Sequence, residues 1–283
     1  MDQLNPQRSR DARENSAPES HALEVGDSLA ASLVRASFRD QLRADVPDGW
    51  LRCSDLLNEP ARFDEWRSRL ACWLRQQHGS APTQTAASYV MSWYLYVPAY
   101  VGALLLHHER RVPSLKPEQL AFGLGPDRPH PEGMAVLSDT FYCLPTDPGS
   151  ARPEATVVRD ERALAAVLRA QFVGHAARFV RAYAPGTRLG RRMLWAAATD
   201  ALDGALWRVG RQGGTAEAEG AGVADAALVL DVQYRPLTSA STLRMAINDD
   251  GRRVWERRRE SCCFSYLLPG EAECESCPRV CRR

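Results

Sequence analysis

Lysine is nearly absent from this chain: Lys116 is the one lysine among 36 basic residues, set against 35 acidic ones. The bias reads as the codon usage of a GC-rich genome and says little about chemistry. The balance says more, because a net charge of +1 leaves no bulk attraction for nucleic acid or an anionic membrane. Catalytic signatures are missing too. No Gly-x-Ser-x-Gly, His-Glu-x-x-His or Gly-x4-Gly-Lys-Ser/Thr occurs, so the hydrolase, zinc-protease and P-loop chemistries that use them have no foothold here. Gly123-Leu-Gly125 runs into Pro126, and Arg128 stands where the third glycine of a dinucleotide fingerprint would fall. Nicotinamide or flavin binding by that route is rejected. Histidine is sparse, and His107, His108 and His175 lack partners at metal spacing, so they read as capping or packing residues. Residues 1–27 are polar, without the apolar stretch of a signal peptide, and are expected to be a disordered lead-in.

What is present suits a soluble globular protein: 283 residues, 45% hydrophobic and 25% charged. The one long uncharged run, Tyr89 to Leu106, is long enough to span a bilayer. It contains Tyr89, Tyr94, Tyr96, Tyr100 and Pro98, and is expected to be a buried core helix bent at the proline. Helical spacing also marks 28–44, 59–77, 160–183 and 189–209, the last with Gly210 as its stop signal. A loop is expected at 123–133, a strand at 134–144, a flexible connector at 213–222 and a further helix at 223–232. Ser241–Ile247 and Arg253–Arg259 flank Asn248-Asp-Asp-Gly251, a strong hairpin turn. The fold class is α+β and mainly helical: a helical body at 28–240 with a small antiparallel β component, then a segment at 241–283 whose hairpin presents the functional site.

That site is read from sulfur. Cys262, Cys263, Cys274 and Cys277 form a Cys-Cys-x10-Cys-x2-Cys pattern, and four soft thiolates favour zinc or an iron–sulfur cluster over hard cations. Zinc sites usually use two Cys-x2-4-Cys knuckles. Adjacent cysteines in a strand point to opposite faces and share a site only where the backbone bends, and a cluster is a more forgiving target than one ion. A [2Fe–2S] centre is favoured, with structural zinc as the alternative. Disulfides are disfavoured by the strained ring between neighbours. Cys281 allows a second trio with Cys274 and Cys277. Cys53, Cys72 and Cys143 are scattered, and Cys72 is expected to be a small buried hydrophobe.

The Arg257-Arg-Arg259 run, the cysteine spacing and the wording Ser261-Cys-Cys-Phe-Ser-Tyr-Leu-Leu-Pro-Gly270 resemble the FhuF family of siderophore-iron reductases over about the last thirty-five residues, with weaker similarity near 88–106. The resemblance implies a cytoplasmic oxidoreductase whose [2Fe–2S] cluster is bound by Cys262, Cys263, Cys274 and Cys277. It further implies one-electron reduction of a ferric siderophore, of hydroxamate type, with release of iron. With no hydride-cofactor site, electrons are expected from an external donor such as a ferredoxin, and transient contact with the inner membrane face is allowed for. A tetrathiolate [2Fe–2S] centre is dianionic when oxidised and trianionic when reduced, so Arg257, Arg258 and Arg259 are candidate tuning groups. An ordinary solvated strand edge is the plainer account of them. The aromatic segment Trp93 to Tyr100 and the loop at 123–133 are candidate places for the chelate. The competing readings are an iron–sulfur or zinc-stabilised interaction module without its own substrate, and a siderophore-biosynthesis protein. The second needs a nucleotide site that the chain does not show.

Overall fold

Thr83 to Glu109 forms the axis around which the other helices are laid. In the computed structural model, which describes residues 27–36, 42–274 and 276–280, the order is α1 (Leu29–Ala36), β1 (Leu42–Arg43), β2 (Leu51–Arg52), α2 (Cys53–Asn58), α3 (Ala61–His78) and α4 (Thr83–Glu109). Then follow β3 (Arg111–Pro113), β4 (Leu120–Leu124), β5 (Pro131–Val136), β6 (Phe141–Cys143), β7 (Ala155–Val157) and α5 (Glu161–Tyr183). The chain closes with α6 (Arg191–Arg211), α7 (Ala216–Val229), β8 (Leu243–Ile247) and β9 (Arg253–Arg257). About half of it is helical and the sheets are small, an α+β fold.

Helix α4 is apolar on nearly every side, the pattern of a helix enclosed by others. It is long and apolar enough to cross a membrane, yet 78% of its most hydropathic window is buried by the protein itself. Its tyrosines show why the interior accepts them. The Tyr94 hydroxyl lies 2.9 Å from His175 Nε2, and the Tyr100 hydroxyl donates to Gln212 Oε1 at 2.8 Å. His175 Nδ1 sits 2.7 Å from the Leu115 carbonyl. This fixes the tautomer, with Nδ1 donating and Nε2 accepting. Burial lowers the His175 pKa to about 4, so the ring is neutral, as the packing role requires. Phe63, Tyr94, Phe179 and Tyr183 knit α3, α4 and α5 together, with Tyr94 stacked on Phe179 at 4.6 Å between centroids.

Three sheets surround the helices. One has the order β1-β5-β4-β2, another β3-β6-β7, and β8 pairs with β9 as a two-stranded hairpin. In the hairpin Leu243 stands opposite Arg257 and Ile247 opposite Arg253, with Gly251 at φ +74° in its turn.

Several boundaries differ from the sequence expectation. Of the first expected helix the described residues hold Leu29–Ala36, and Leu42–Arg43 within its expected range is a strand pairing with β5. The 123–133 loop is mostly the turn of the β4–β5 hairpin, and the single strand expected at 134–144 is split between β5 and β6 in different sheets. Gly210 does not end α6 but lies within it, where a Cβ would meet Ala218 O at 2.5 Å and Gly222 Cα at 2.8 Å. Gly210 and Gly222 therefore let α6 and α7 touch backbone to backbone, and α7 starts at Ala216 inside the expected connector. Cys72 is exposed, not buried, because it falls on the outer side of α3 while Leu70 and Leu74 face inward. The expected N-terminal lead-in lies outside the described residues, apart from Asp27.

Candidate metal centre

Two acids one turn apart on α6 fasten the carboxyl-terminal segment to the helical body. Asp203 accepts from Ser241 Oγ at 2.6 Å and from Thr242 N and Oγ1, both at 3.1 Å, which fixes the entry to β8. Asp200 takes the exit from β9. It accepts from Glu260 N at 2.9 Å, Ser261 N at 2.8 Å, Ser261 Oγ at 2.5 Å and Arg257 Nη1 at 3.2 Å, with Arg259 Nε 3.8 Å away. Gly204 follows Asp203, one helical turn beyond Asp200, and a Cβ there would stand 3.3 Å from the Arg257 guanidinium. The absent side chain lets that group lie flat against the helix. A buried carboxylate is tolerated only when hydrogen-bonded and paired, and Asp200 has both kinds of partner.

Helix α4 holds the other side. Ser88 Oγ donates to the Cys263 carbonyl at 2.5 Å and Thr85 Oγ1 to the Phe264 carbonyl at 2.8 Å. Between these anchors the chain leaves the extended conformation. Phe264 is left-handed at φ +55°, a rare state for a bulky residue that costs energy unless its surroundings enforce it. The bend is what adjacent cysteines need in order to face one site. It also turns Phe264 N–H onto Cys262 Sγ at 3.4 Å. The second cysteine pair closes through Cys277 N to the Cys274 carbonyl at 2.8 Å, and Arg259 N to Ser276 O at 3.1 Å ties the two pairs together.

The sulfurs differ in setting. Cys277 is buried, whereas Cys262, Cys263 and Cys274 are half-buried. Cys263 Sγ lies 4.0 Å from Cys274 Sγ and 3.3 Å from Ser265 Oγ. Burial raises the Cys263 pKa, but the Ser265 hydroxyl, the Arg259 charge and the Cys274 thiol outweigh it and bring it below the ordinary thiol value. Cys274 goes the other way, pushed up to about 11 by burial and by the charge on Cys263. Burial also raises Cys262, against the Phe264 N–H. Of Cys262, Cys263 and Cys274, Cys263 is the thiol shifted toward the thiolate, with Arg259 beside it.

Of the three arginines expected near the sulfurs, Arg259 is the one in contact with them. Its pKa is raised: burial opposes the charge, but Asp200, Cys263 and Cys274 outweigh it. Arg257 is spent on Asp200, and Arg258 pairs with Glu260 at 3.1 Å on the exposed side. Cys281 lies outside the described residues. Asp200, Thr85, Ser88 and Ser265 escaped sequence reasoning, although Asp200 and Asp203 carried a signal. Acids at i and i+3 within Ala196-Ala-Ala-Thr-Asp-Ala-Leu-Asp-Gly204 would be buried on an apolar helix, and so require partners.

Does this donor set fit a cluster? Among the described residues, no three His, Cys, Asp or Glu side chains converge as a single ion would require. Two metal–sulfur bonds of about 2.3 Å at a tetrahedral angle separate their sulfurs by roughly 3.8 Å, which the 4.0 Å between Cys263 and Cys274 matches. An N–H on one sulfur, a hydroxyl beside another and a buried guanidinium are the outer partners that tune an anionic iron–sulfur centre. The residues fit a thiolate-held metal group, and the sulfur spacing would suit a tetrahedral iron or a tetrahedral zinc alike.

Alongside the segment runs an open cleft of about 910 Å³ between α4, α6 and β5, with Trp93, Tyr96, Arg208, Arg257, Arg259 and Ser276 among its walls. No curated protein matches the chain. Residues 259–279 match the family model of the FhuF 2Fe-2S C-terminal domain. The carboxyl-terminal segment is thus similar to the FhuF 2Fe-2S C-terminal domain, whose description points to a [2Fe–2S] cluster as the cofactor held there.

Proposed function

We propose that the protein is a cytoplasmic ferric-siderophore reductase in which residues 28–240 form the body and 241–283 the cluster-binding segment. The observation that carries the reading is position: three half-buried sulfurs, their arginine and an open cleft occupy one surface region. Cys262, Cys263, Cys274 and Cys277 would hold the cluster, with Cys281 as the alternative ligand. A cluster held there would supply the one electron that takes siderophore Fe(III) to Fe(II), and a one-electron donor such as a ferredoxin would replace it. The β8–β9 hairpin brings the first cysteine pair to the surface, and Asp200, Thr85 and Ser88 hold that pair against α6 and α4. Arg259 offsets negative charge at the sulfurs and so favours the reduced state. Hard oxygen donors such as hydroxamates hold Fe(II) far less tightly than Fe(III), so iron leaves while the chelator survives.

A second reading, an electron-transfer or interaction module without its own substrate, draws on the exposed Met245, Val254 and Ile247 of the hairpin. One experiment separates the two. Protein purified without oxygen is reduced, freed of excess reductant and mixed with a ferric trihydroxamate in the presence of a ferrous-specific chromogen. The reductase reading expects the oxidised visible spectrum to return as Fe(II) appears, one iron per cluster. A cluster that stays reduced supports the module. A colourless protein holding one zinc per chain overturns the cluster chemistry altogether.

A further inference from the structure

The cleft has a surplus of positive charge. Arg257 and Arg259 share one carboxylate, Asp200. Arg208 is exposed, lies over the Tyr96 ring at 5.6 Å, and has no carboxylate partner among the described residues. The acid on the opposite wall, Glu132, sits 3.6 Å from His130. Aromatic rings supply the rest of the lining. Tyr96 stacks on Tyr100 at 5.0 Å between centroids, and Trp93 is held by Arg128 at 5.1 Å. The volume of about 910 Å³ falls at the upper end of the range for small-molecule sites, roughly 300–1,000 Å³. Two of its lining residues, Arg259 and Ser276, are hydrogen-bonded to each other through their backbones inside the cysteine segment. A ligand seated there lies directly against the sulfur-bearing loop.

From this geometry we infer that the cleft is the docking site for an oxygen-donor ferric chelate that is anionic overall, with a carboxylate on its periphery. Arg208 is the residue that selects for the negative charge. Its planar fork is suited to grip a carboxylate by two parallel hydrogen bonds, and no carboxylate among the described residues pairs with it. Trp93 and Tyr96 cover the methylene arms of such a chelate, since aromatic faces bury apolar surface without committing to one shape. Arg259 lies between the seat and the sulfurs and screens the repulsion of an anion approaching an anionic centre. The inference rests on the reductase reading for the identity of the ligand, but the site is tested by binding alone.

Gallium(III) complexes keep the shape and charge of the ferric ones and cannot be reduced to a divalent ion under these conditions. Oxidised holoprotein is titrated with the gallium complex of a citrate-based dihydroxamate that carries free carboxylates on its side arms, which is anionic, and with that of a linear trihydroxamate that carries a free terminal amine, which is cationic. Calorimetry reads the affinity. The anionic complex is expected to bind at least about tenfold more tightly, charge complementarity deciding between them. Arg208→Glu should remove that preference and weaken the anionic complex by a similar factor, while Arg208→Lys retains part of it. Tyr96→Ala should weaken both complexes several-fold. An unchanged visible spectrum in each variant shows that the cluster and fold are intact. Equal affinity for the two complexes in the parent protein, or full affinity in Arg208→Glu, overturns the inference. A protein that binds the gallium complex through Arg208 but fails to reduce the ferric one keeps the site and loses the reductase reading. Reduction with no response to Arg208→Glu does the reverse.

Discussion

The helical body and the carboxyl-terminal segment are stabilised by opposite means. Around α4 the interior is apolar and continuous, and polar groups within it, such as Tyr94 and His175, satisfy each other. Beyond residue 240 little apolar side chain is buried: among the described residues, Leu268 and Cys277 are the hydrophobic ones there that reach the interior. Order in that segment comes instead from carboxylates and hydroxyls projecting from the body: Asp200, Asp203, Thr85 and Ser88. Apolar burial is additive and tolerant of loss, at about 25 cal/mol per Å², whereas a polar clamp fails abruptly once one partner is gone. The body is built to stay folded. The segment is positioned on it by those polar contacts.

The largest test of that contrast removes the cluster. Cys277→Ser is expected to abolish the visible absorption and iron content, and to open the segment from about residue 258 onward to hydrogen exchange. The body, with its own core, should keep its helical circular dichroism. Cys281→Ser should leave iron content unchanged, which would assign the four ligands as Cys262, Cys263, Cys274 and Cys277. Next comes Asp200→Ala, which leaves Arg257 and Arg259 facing a buried gap and strands the Ser261 hydroxyl and N–H. Breaking one side of a buried pair typically costs about 3–5 kcal/mol. Exchange should rise at Glu260 and Ser261, and cluster loss on chelator challenge should accelerate well ahead of any change in the body.

The body has its own point of failure, set by pH. His175 titrates at about 4 when folded because burial disfavours its charge, against an ordinary value near 6.5. As pH falls from neutral, the unfolded chain takes up the proton first, and stability drops between about 6.5 and 4. It is fully present above that window. The shift corresponds to roughly 3 kcal/mol. Urea midpoints from pH 7.5 to 4.5 should decline in the parent protein, and less steeply in His175→Asn, measured by helical signal rather than cluster colour.

The same division explains what the sequence made legible. Helices α3, α4 and α5 were readable because apolar spacing is a local signal that burial then enforces, as at Phe63, Trp66 and Leu70. The hairpin was readable because Asn248-Asp-Asp-Gly251 is turn chemistry. The four cysteines stood out by spacing. Strand pairings such as Leu42 with Met134 were not readable, since two-residue strands have no periodicity and depend on a distant partner. Gly210 read as a stop because its close approach to Gly222 is a tertiary fact. Asp200 and Ser88 lie 61 and 175 residues from the groups they hold, and no local pattern announces a hydrogen bond across that separation.

The finest discrimination lies between the two carbonyl anchors on α4. Ser88→Ala removes a donor to the Cys263 carbonyl, and Thr85→Val removes one to the Phe264 carbonyl while keeping the volume. Each should cost about 1 kcal/mol of local stability, the usual net value of one hydrogen bond. The two should differ in what else they move. Ser88 acts on the peptide of a sulfur-bearing residue, so its loss should shift the cluster's EPR line shape and midpoint potential. Thr85 acts on the residue whose left-handed backbone makes the bend, so its loss should release Phe264 and speed cluster loss on chelator challenge with little change in potential. Equal spectroscopic effects from both would mean that the segment responds as one rigid body, and that the bend at Phe264 is secured by the sulfurs rather than by α4.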